Sequence, residues 1–95
     1  MRSVVLAVTG IGILIAGPSH GACSKPEAPI CGQQPSAFTG QADFDQCRMQ
    51  MISYKSGMET FANCLQKEGQ SAQEQSAREE LDAVLARFNR RARGE

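Results

Sequence analysis

The four cysteines, at positions 23, 31, 47 and 64, are the residues of this 95-residue sequence with the most evident chemistry. Thiols form disulfides, bind metals or act as nucleophiles. The spacing here argues against a structural zinc site, which usually needs pairs separated by two to four residues. It also lacks the Cys-x-x-Cys pair of thiol oxidoreductases. An even number of widely spaced cysteines is instead typical of a disulfide framework in a small exported protein.

Soft ligands give an alternative chemistry. Cys47, Met49 and Met51 lie close together in sequence, with Met58 further on, and thiolate and thioether sulfurs suit Cu(I). Met51 and Met58 also share the helical face of the apolar residues, where a flexible thioether fills space, and Met49 lies off that face. A disulfide-bonded Cys47 has no thiolate to offer. We therefore predict no resident cofactor and keep periplasmic Cu(I) binding as the alternative function.

Four arginines form a cluster of positive charge near the end of the sequence: Arg87, Arg90, Arg91 and Arg93. Cations at the end of a helix complement its negative terminus, which is the simplest interpretation. The second interpretation is a contact for an anionic partner. The whole chain carries ten Lys and Arg against ten Asp and Glu, so no net charge favours nucleic acid as that partner.

The first 22 residues have the order of a secretory signal peptide. Arg2 precedes an apolar run from Val4 to Ala16, and small residues follow near position 22. The run has 13 residues, fewer than the about 20 that span a bilayer. We expect cleavage between residues 19 and 22 and export to the periplasm or the medium.

A lipoprotein is the competing interpretation of this leader, because Gly21-Ala22-Cys23 is similar to the end of a lipobox. His20, however, occupies the position where such boxes need a leucine-like residue. Lipidation of Cys23 would also leave three thiols in an oxidising compartment. His20 is the only histidine and would leave with the leader, which removes histidine-based catalysis from the mature protein.

The mature chain must position these residues with two helices. Prolines 26, 29 and 35 predict an extended strap over residues 23–40. Residues 41–68 carry apolar residues at alternating steps of three and four, which predicts one amphipathic helix with a packing seam. The seam consists of Phe44, Cys47, Met51, Tyr54, Met58, Phe61 and Leu65. A second helix is predicted over 71–93, so the fold class is an all-α, two-helix antiparallel hairpin with an N-terminal proline-rich strap, stapled by disulfides.

The ends of both helices carry recognisable capping residues. Thr39 is the expected N-cap of the first helix and Gly69 its C-terminal cap. Ser71 and Glu74 have the spacing of a capping box at the start of the second helix.

The lengths of the segments select the disulfide pairing. On one helix, Cys47 and Cys64 are about 25 Å apart and cannot bond. Cys23 and Cys31 span about 25 Å in polyproline geometry, so each can reach one helical cysteine. Joining Cys31 to Cys64 would require about 35 Å of return path from nine residues, which reach only about 30 to 32 Å. We predict Cys31–Cys47 and Cys23–Cys64.

One competing topology remains at this stage. If the chain turned at Ser56-Gly57, Cys47 and Cys64 would flank the turn almost symmetrically and could bond to each other. The cost of a glycine in mid-helix is only about 1 kcal/mol, which favours the continuous helix.

Several short motifs of this chain resemble those of a loose group of small exported bacterial proteins. They are Pro29-Ile30-Cys31, Phe38, the stretch from Phe44 to Arg48, Tyr54, Asn63-Cys64-Leu65 and the stretch from Arg87 to Gly94. The resemblance covers most of residues 29–94, and its motifs are structural. It implies no activity, ligand or catalytic residue.

These observations predict a non-catalytic binding or envelope-associated scaffold. Nothing places a pair of carboxylates around a cleft, so we expect no enzyme. The exposed seam of the first helix must be covered, either by the strap, with Ile30 and Phe38 as anchors, or by a protein partner or a second copy of the chain.

Overall fold

The computed structural model describes residues 23–94, and the predicted signal peptide lies outside them. Two helices account for most of the described chain: α1, Gln41–Lys67, and α2, Ser71–Arg93. The N-terminal segment, residues 23–40, contains one turn of 3-10 helix at Ile30–Gly32. No strand occurs in this described range, so the predicted all-α class is confirmed.

Helix α1 is continuous through Gly57 and excludes the alternative turn at that residue. It ends one residue before the predicted limit. Gly69 adopts a φ of +74°, a left-handed conformation that glycine accepts without steric cost. The amide of Gln70 donates to the carbonyl of Leu65 at 2.9 Å, and the amide of Gly69 donates to that of Gln66 at 3.1 Å. These two bonds form a Schellman motif, which turns the chain sharply into α2.

The two helices run antiparallel. Phe44 of α1 stacks on Phe88 of α2 at one end, with ring centroids 5.8 Å apart. Towards the connecting turn, the guanidinium of Arg78 donates to the side-chain oxygen of Asn63 at 3.3 Å. The hairpin therefore places the start of α1 beside the end of α2.

The helix starts differ from the sequence expectations. Gly40, not Thr39, is the N-cap of α1, and the Thr39 hydroxyl donates instead to the Asp43 carboxylate. Gln70 is the N-cap of α2, and its carbonyl accepts from the amide of Glu74. Because the Schellman turn brings the chain into α2 one residue early, Ser71 is already helical and the predicted capping box does not form.

The core lies along the shared face of the helices. Its buried members are Cys47, Met51, Tyr54, Met58, Ala62, Leu65, Ala77, Leu81, Val84 and Phe88. Most of the predicted α1 seam is in this set and is covered within the chain itself.

Two disulfides fasten the N-terminal segment to α1. Cys23 bonds to Cys64 and Cys31 bonds to Cys47, with Cα atoms 5.5 and 5.9 Å apart. These are the two pairs that the segment lengths predicted. All four cysteines are thus bonded, and the segment runs antiparallel to α1.

The N-terminal segment contacts both helices. Its Lys25 ammonium lies 2.8 Å from the Glu80 carboxylate of α2, and Pro26 packs over Gly57 of α1. Pro29 has an extended backbone (φ −62°, ψ 131°), and the 3-10 turn follows it directly. Of the two predicted anchors, Phe38 packs against the core, whereas Ile30 is 75% exposed because the turn directs it outwards.

Gly32 takes the place that Ile30 was expected to fill. It is buried between the helices, and a β-carbon there would lie 2.9 Å from Sδ of Met51. Since atoms do not approach that closely, only glycine lets the turn enter this position without displacing Met51.

Candidate functional site

The soft-ligand residues do not form a common site. Sγ of Cys47 is in a disulfide, and Met51 is buried beside Gly32. Met49 is 68% exposed, on a different face of α1. Met58 is buried in the core. A Cu(I) site would therefore require both reduction of Cys47 and rearrangement of the helix surface.

One group of potential ligands does converge near the turn. Sulfur atoms of Cys23 and Cys64 and a carboxylate oxygen of Glu68 lie within 4.8 Å of one another. The two sulfurs are bonded to each other, however, and a disulfide has no thiolate to bind a metal. In the oxidised protein this group is a structural staple.

Arg91 has a different environment from the neighbouring arginines. It is only 9% exposed, on the face of α2 that packs under the N-terminal segment. Its Nε donates to the Ser36 carbonyl at 2.6 Å, and a terminal nitrogen donates to the Cys31 carbonyl at 2.5 Å. Its guanidinium carbon lies 4.0 Å from the centroid of the Phe38 ring. Arg91 therefore binds the N-terminal segment to α2.

The rings of Phe38, Phe44 and Phe88 form an aromatic cluster next to the Arg91 contact. Phe38 meets Phe44 and Phe88 edge to face, with centroids 5.5 and 5.7 Å apart. Edge-to-face and offset pairs are the favourable arrangements of aromatic rings. The cluster fixes the position of Phe38, and the cation–π contact adds to the hold of Arg91 on that ring.

A cleft lies beside Arg91, between the N-terminal segment and the outer face of α2. Its volume is about 290 Å³, and we call it the arginine cleft. Its walls are Gln33, Gln34, Pro35, Arg87, Arg90 and Arg91. The Arg87 guanidinium donates to Oε1 of Gln33 at 3.3 Å, and the Gln33 amide donates to the Pro29 carbonyl at 3.5 Å. Gln33 thus positions Arg87 at the cleft wall.

The arginine cleft is strongly cationic although the chain as a whole is neutral. Neither residues 28–42 nor residues 83–94 contain an Asp or Glu. Ion pairs within the described range engage Lys25, Lys55 and Arg78, none of which lines the cleft. The hairpin therefore brings together two stretches without acidic residues, one of which carries four arginines.

The arginine cluster is divided by the fold. Arg87 and Arg90 are exposed at the cleft wall, and Arg91 is largely occupied by carbonyl groups. Arg93 lines a separate cavity of about 460 Å³ at the end of the hairpin, with Phe38, Phe44 and Gly94 among its walls. Three of the four predicted contacts thus line the same cleft, and two of them, Arg87 and Arg90, are exposed there.

Sequence reasoning did not find Gln33 and Gln34. Neutral amides in a proline-rich segment carry no chemical signal of their own. The only indication in the sequence was the absence of acidic residues around them. That absence indicates a cationic cleft only when α2 is known to lie beside this segment.

Tyr54 is buried in the core, and its hydroxyl lacks a hydrogen-bond partner among the described residues. The side chain is 3% exposed. Burial raises the pKa of this phenol above 10.0, and the negative charge of Glu80 raises it further, while Arg87 acts in the opposite direction. The phenol is therefore neutral at physiological pH.

No protein-family model, curated protein or solved structure matches this chain.

Proposed function

We propose that this protein is a small exported binding module, non-catalytic, that works in the periplasm or outside the cell. One observation carries the proposal: a covalently fixed N-terminal segment and α2 together form the arginine cleft, whose cations have no carboxylate counter-ion within the described residues. A fixed cleft of unneutralised charge favours binding, because little has to be reorganised when a ligand arrives.

The described residues support a non-catalytic role. They include no histidine, and their cysteines are all bonded. Tyr54 is buried with a raised pKa, so its hydroxyl is a poor nucleophile. Hydrogen bonds from Thr39 and Gln41 hold Asp43 and Asp45 on the surface of α1. Asp43 lines a small cavity beside Arg91, and the described lining of that cavity has no second carboxylate for acid–base work.

Export is proposed from the leader and the disulfides together. Disulfides persist in oxidising compartments and are rare in the cytosol. The predicted leader would deliver the chain there, with lipid attachment at Cys23 disfavoured because this sulfur is bonded to Cys64. Within residues 23–94, no helix combines the length and the apolarity needed to cross a membrane.

Fractionation of a bacterium that expresses the full chain tests this proposal. The expected product is a processed protein in the periplasm or medium, with an intact mass that alkylation leaves unchanged. Alkylation at four positions would contradict the oxidised scaffold. Cu(I) binding through Cys47, Met49 and Met51 would then be the better supported function. Retention of the uncleaved chain in the cytosol would contradict export.

Crosslinking in the same cells tests the binding role. We expect the wild-type chain to be recovered with envelope components and the Arg87→Gln/Arg90→Gln variant to lose them. A charge-matched control is available in Arg48→Gln/Lys67→Gln, whose residues are exposed on α1 and line none of the cleft. Equal recovery with both variants would contradict a role for the cleft.

A further inference from the structure

The arginine cleft has the geometry of a site for one multiply charged oxyanion. Arg87 and Arg90 are three positions apart on α2, so their Cα atoms differ by about 4.5 Å along the axis and their side chains share one face. Both line the same opening. Two guanidinium groups can then approach different oxygens of a single group.

Polar groups of the N-terminal segment complete the site. Gln34 lines the cleft opposite α2, and its amide makes no hydrogen bond to another described residue. Gln33 is held by Arg87 and by the Pro29 carbonyl, which fixes the Arg87 side chain against the wall. The cleft therefore offers the positioned Arg87 guanidinium and the exposed Arg90 on one side and an uncommitted amide donor on the other.

The local electrostatics favour an anion despite the position of the cleft near the end of a helix. The C-terminus of a helix is equivalent to about half a negative charge. Arg87, Arg90 and Arg91 contribute three positive charges at the walls, so the field inside the cleft is positive. Arg91 adds positive charge without donating a hydrogen bond to the ligand, because its donors are directed to the Ser36 and Cys31 carbonyls.

The chemistry of the donors favours phosphate over carboxylate. A carboxylate has two oxygens in one plane and is matched by a single guanidinium fork. A phosphomonoester has three terminal oxygens and a larger charge, which suit two guanidinium groups and an amide from the opposite wall. We propose that the arginine cleft binds a phosphomonoester group, either of a soluble ester or of a lipid headgroup that ends in one. This inference rests on the proposed binding function and names its ligand class.

The test is a titration of the oxidised protein at constant ionic strength. Nuclear magnetic resonance follows the amide signals while inorganic phosphate, glycerol 3-phosphate or acetate is added. We expect phosphate and glycerol phosphate to shift the signals of Gln33, Gln34, Arg87 and Arg90. Acetate should bind at least about tenfold more weakly, since it cannot engage both arginines. Equal affinity for acetate would overturn the assignment to phosphate.

Sedimentation with vesicles distinguishes the source of the phosphate. Binding to phosphatidic acid vesicles but not to phosphatidylcholine vesicles, together with weak binding of the soluble phosphates, would assign the site to a lipid headgroup. Strong binding of glycerol phosphate without vesicle binding would assign it to a soluble ester. Both outcomes support a phosphate site, and binding to neither source overturns it.

Two double variants distinguish binding at the arginine cleft from nonspecific attraction by surface charge. Arg87→Gln/Arg90→Gln should weaken phosphate binding by at least about tenfold. Arg48→Gln/Lys67→Gln removes the same charge elsewhere and should change it less than about twofold. Equal losses would overturn the site. If no phosphate binds but the wild-type chain still captures an envelope protein through the cleft, only the ligand class fails and the binding module remains.

Discussion

Pro26 of the N-terminal segment packs directly on Gly57 of α1. A β-carbon placed on Gly57 would lie 3.1 Å from Cγ of Pro26, closer than ordinary van der Waals contact. The glycine in the middle of α1 is therefore the point where the segment approaches the helix backbone. This contact lies between the two disulfides, so the segment is held at both ends and packed in the middle.

Replacement of Gly57 by leucine should destabilise the protein. The side chain would push against Pro26 and cost about 1–3 kcal/mol by overpacking, more than the about 1 kcal/mol of helix propensity that it restores. Urea unfolding followed by circular dichroism measures the difference. The neighbouring exposed residue supplies the control, Ser56→Leu, which should be neutral or slightly stabilising. A stabilised Gly57→Leu variant would contradict the close approach.

Removal of the Arg91 side chain should loosen the N-terminal segment. Arg91→Met keeps the apolar volume but loses two charge-assisted hydrogen bonds and the contact with Phe38, at a cost of about 3 kcal/mol. Arg90→Met is the matched control, since Arg90 is exposed, and should change the free energy of unfolding by less than about 0.5 kcal/mol. Similar values for the two variants would show that the buried contact does not stabilise the fold.

The two disulfides should contribute unequally. Cys23–Cys64 closes a loop of 41 residues and Cys31–Cys47 one of 16. The chain-entropy model gives about 4 kcal/mol for the longer loop and about 3 kcal/mol for the shorter one. Paired serine variants of each bridge, compared by urea unfolding, measure these values. The reverse order would mean that native contacts, rather than loop length, set the contribution of each bond.

Tyr54 should give a direct optical measure of burial. It is the only tyrosine, and the sequence has no tryptophan, so absorbance near 295 nm reports this phenol alone. We expect its titration in the folded protein to have a midpoint above 10.0, as burial opposes the phenolate. In reduced, urea-unfolded protein the midpoint should return to about 10. A folded value at or below 10 would contradict the buried position.

The same shift predicts a loss of stability in alkali. The folded chain retains the phenolic proton above pH 10 while the unfolded chain releases it, so the contribution of Tyr54 is complete below pH 10 and falls as pH rises through the folded pKa. Tyr54→Phe should remove this part of the pH dependence. At pH 7 it should be neutral or slightly stabilising, because no described residue accepts the hydroxyl hydrogen. A clear loss at pH 7 would show that the hydroxyl is hydrogen-bonded.

The sequence predicted the features that depend on length and periodicity. The steps of three and four from Phe44 to Leu65 place α1 and its buried face. The reach of nine residues after Cys31 selects the disulfide pairs. Both arguments use only distances along the chain, which a sequence contains. The Schellman turn at Gly69 follows from a glycine after the last apolar residue.

Contacts between segments could not be predicted from the sequence. The continuous helix through Gly57 is confirmed, but the approach of Pro26 to that residue is visible only in three dimensions. The hydrophobicity of Ile30 favours an anchor, whereas the 3-10 turn buries Gly32 instead. Arg91 is buried, unlike the three neighbouring arginines, and its spacing carries a signal. The positions Ala77, Leu81, Val84, Phe88 and Arg91 continue the buried face of α2 without a break.

The arginine cleft joins residues that are distant in sequence, since Gln33 and Arg87 are 54 positions apart. The site therefore cannot exist until α2 has folded back along the N-terminal segment. Loss of the end of α2 would remove the core residue Phe88 and the buried Arg91 together with the cleft. Point substitutions of the exposed Arg87 and Arg90, rather than truncation, are thus the genetic means of separating binding from folding.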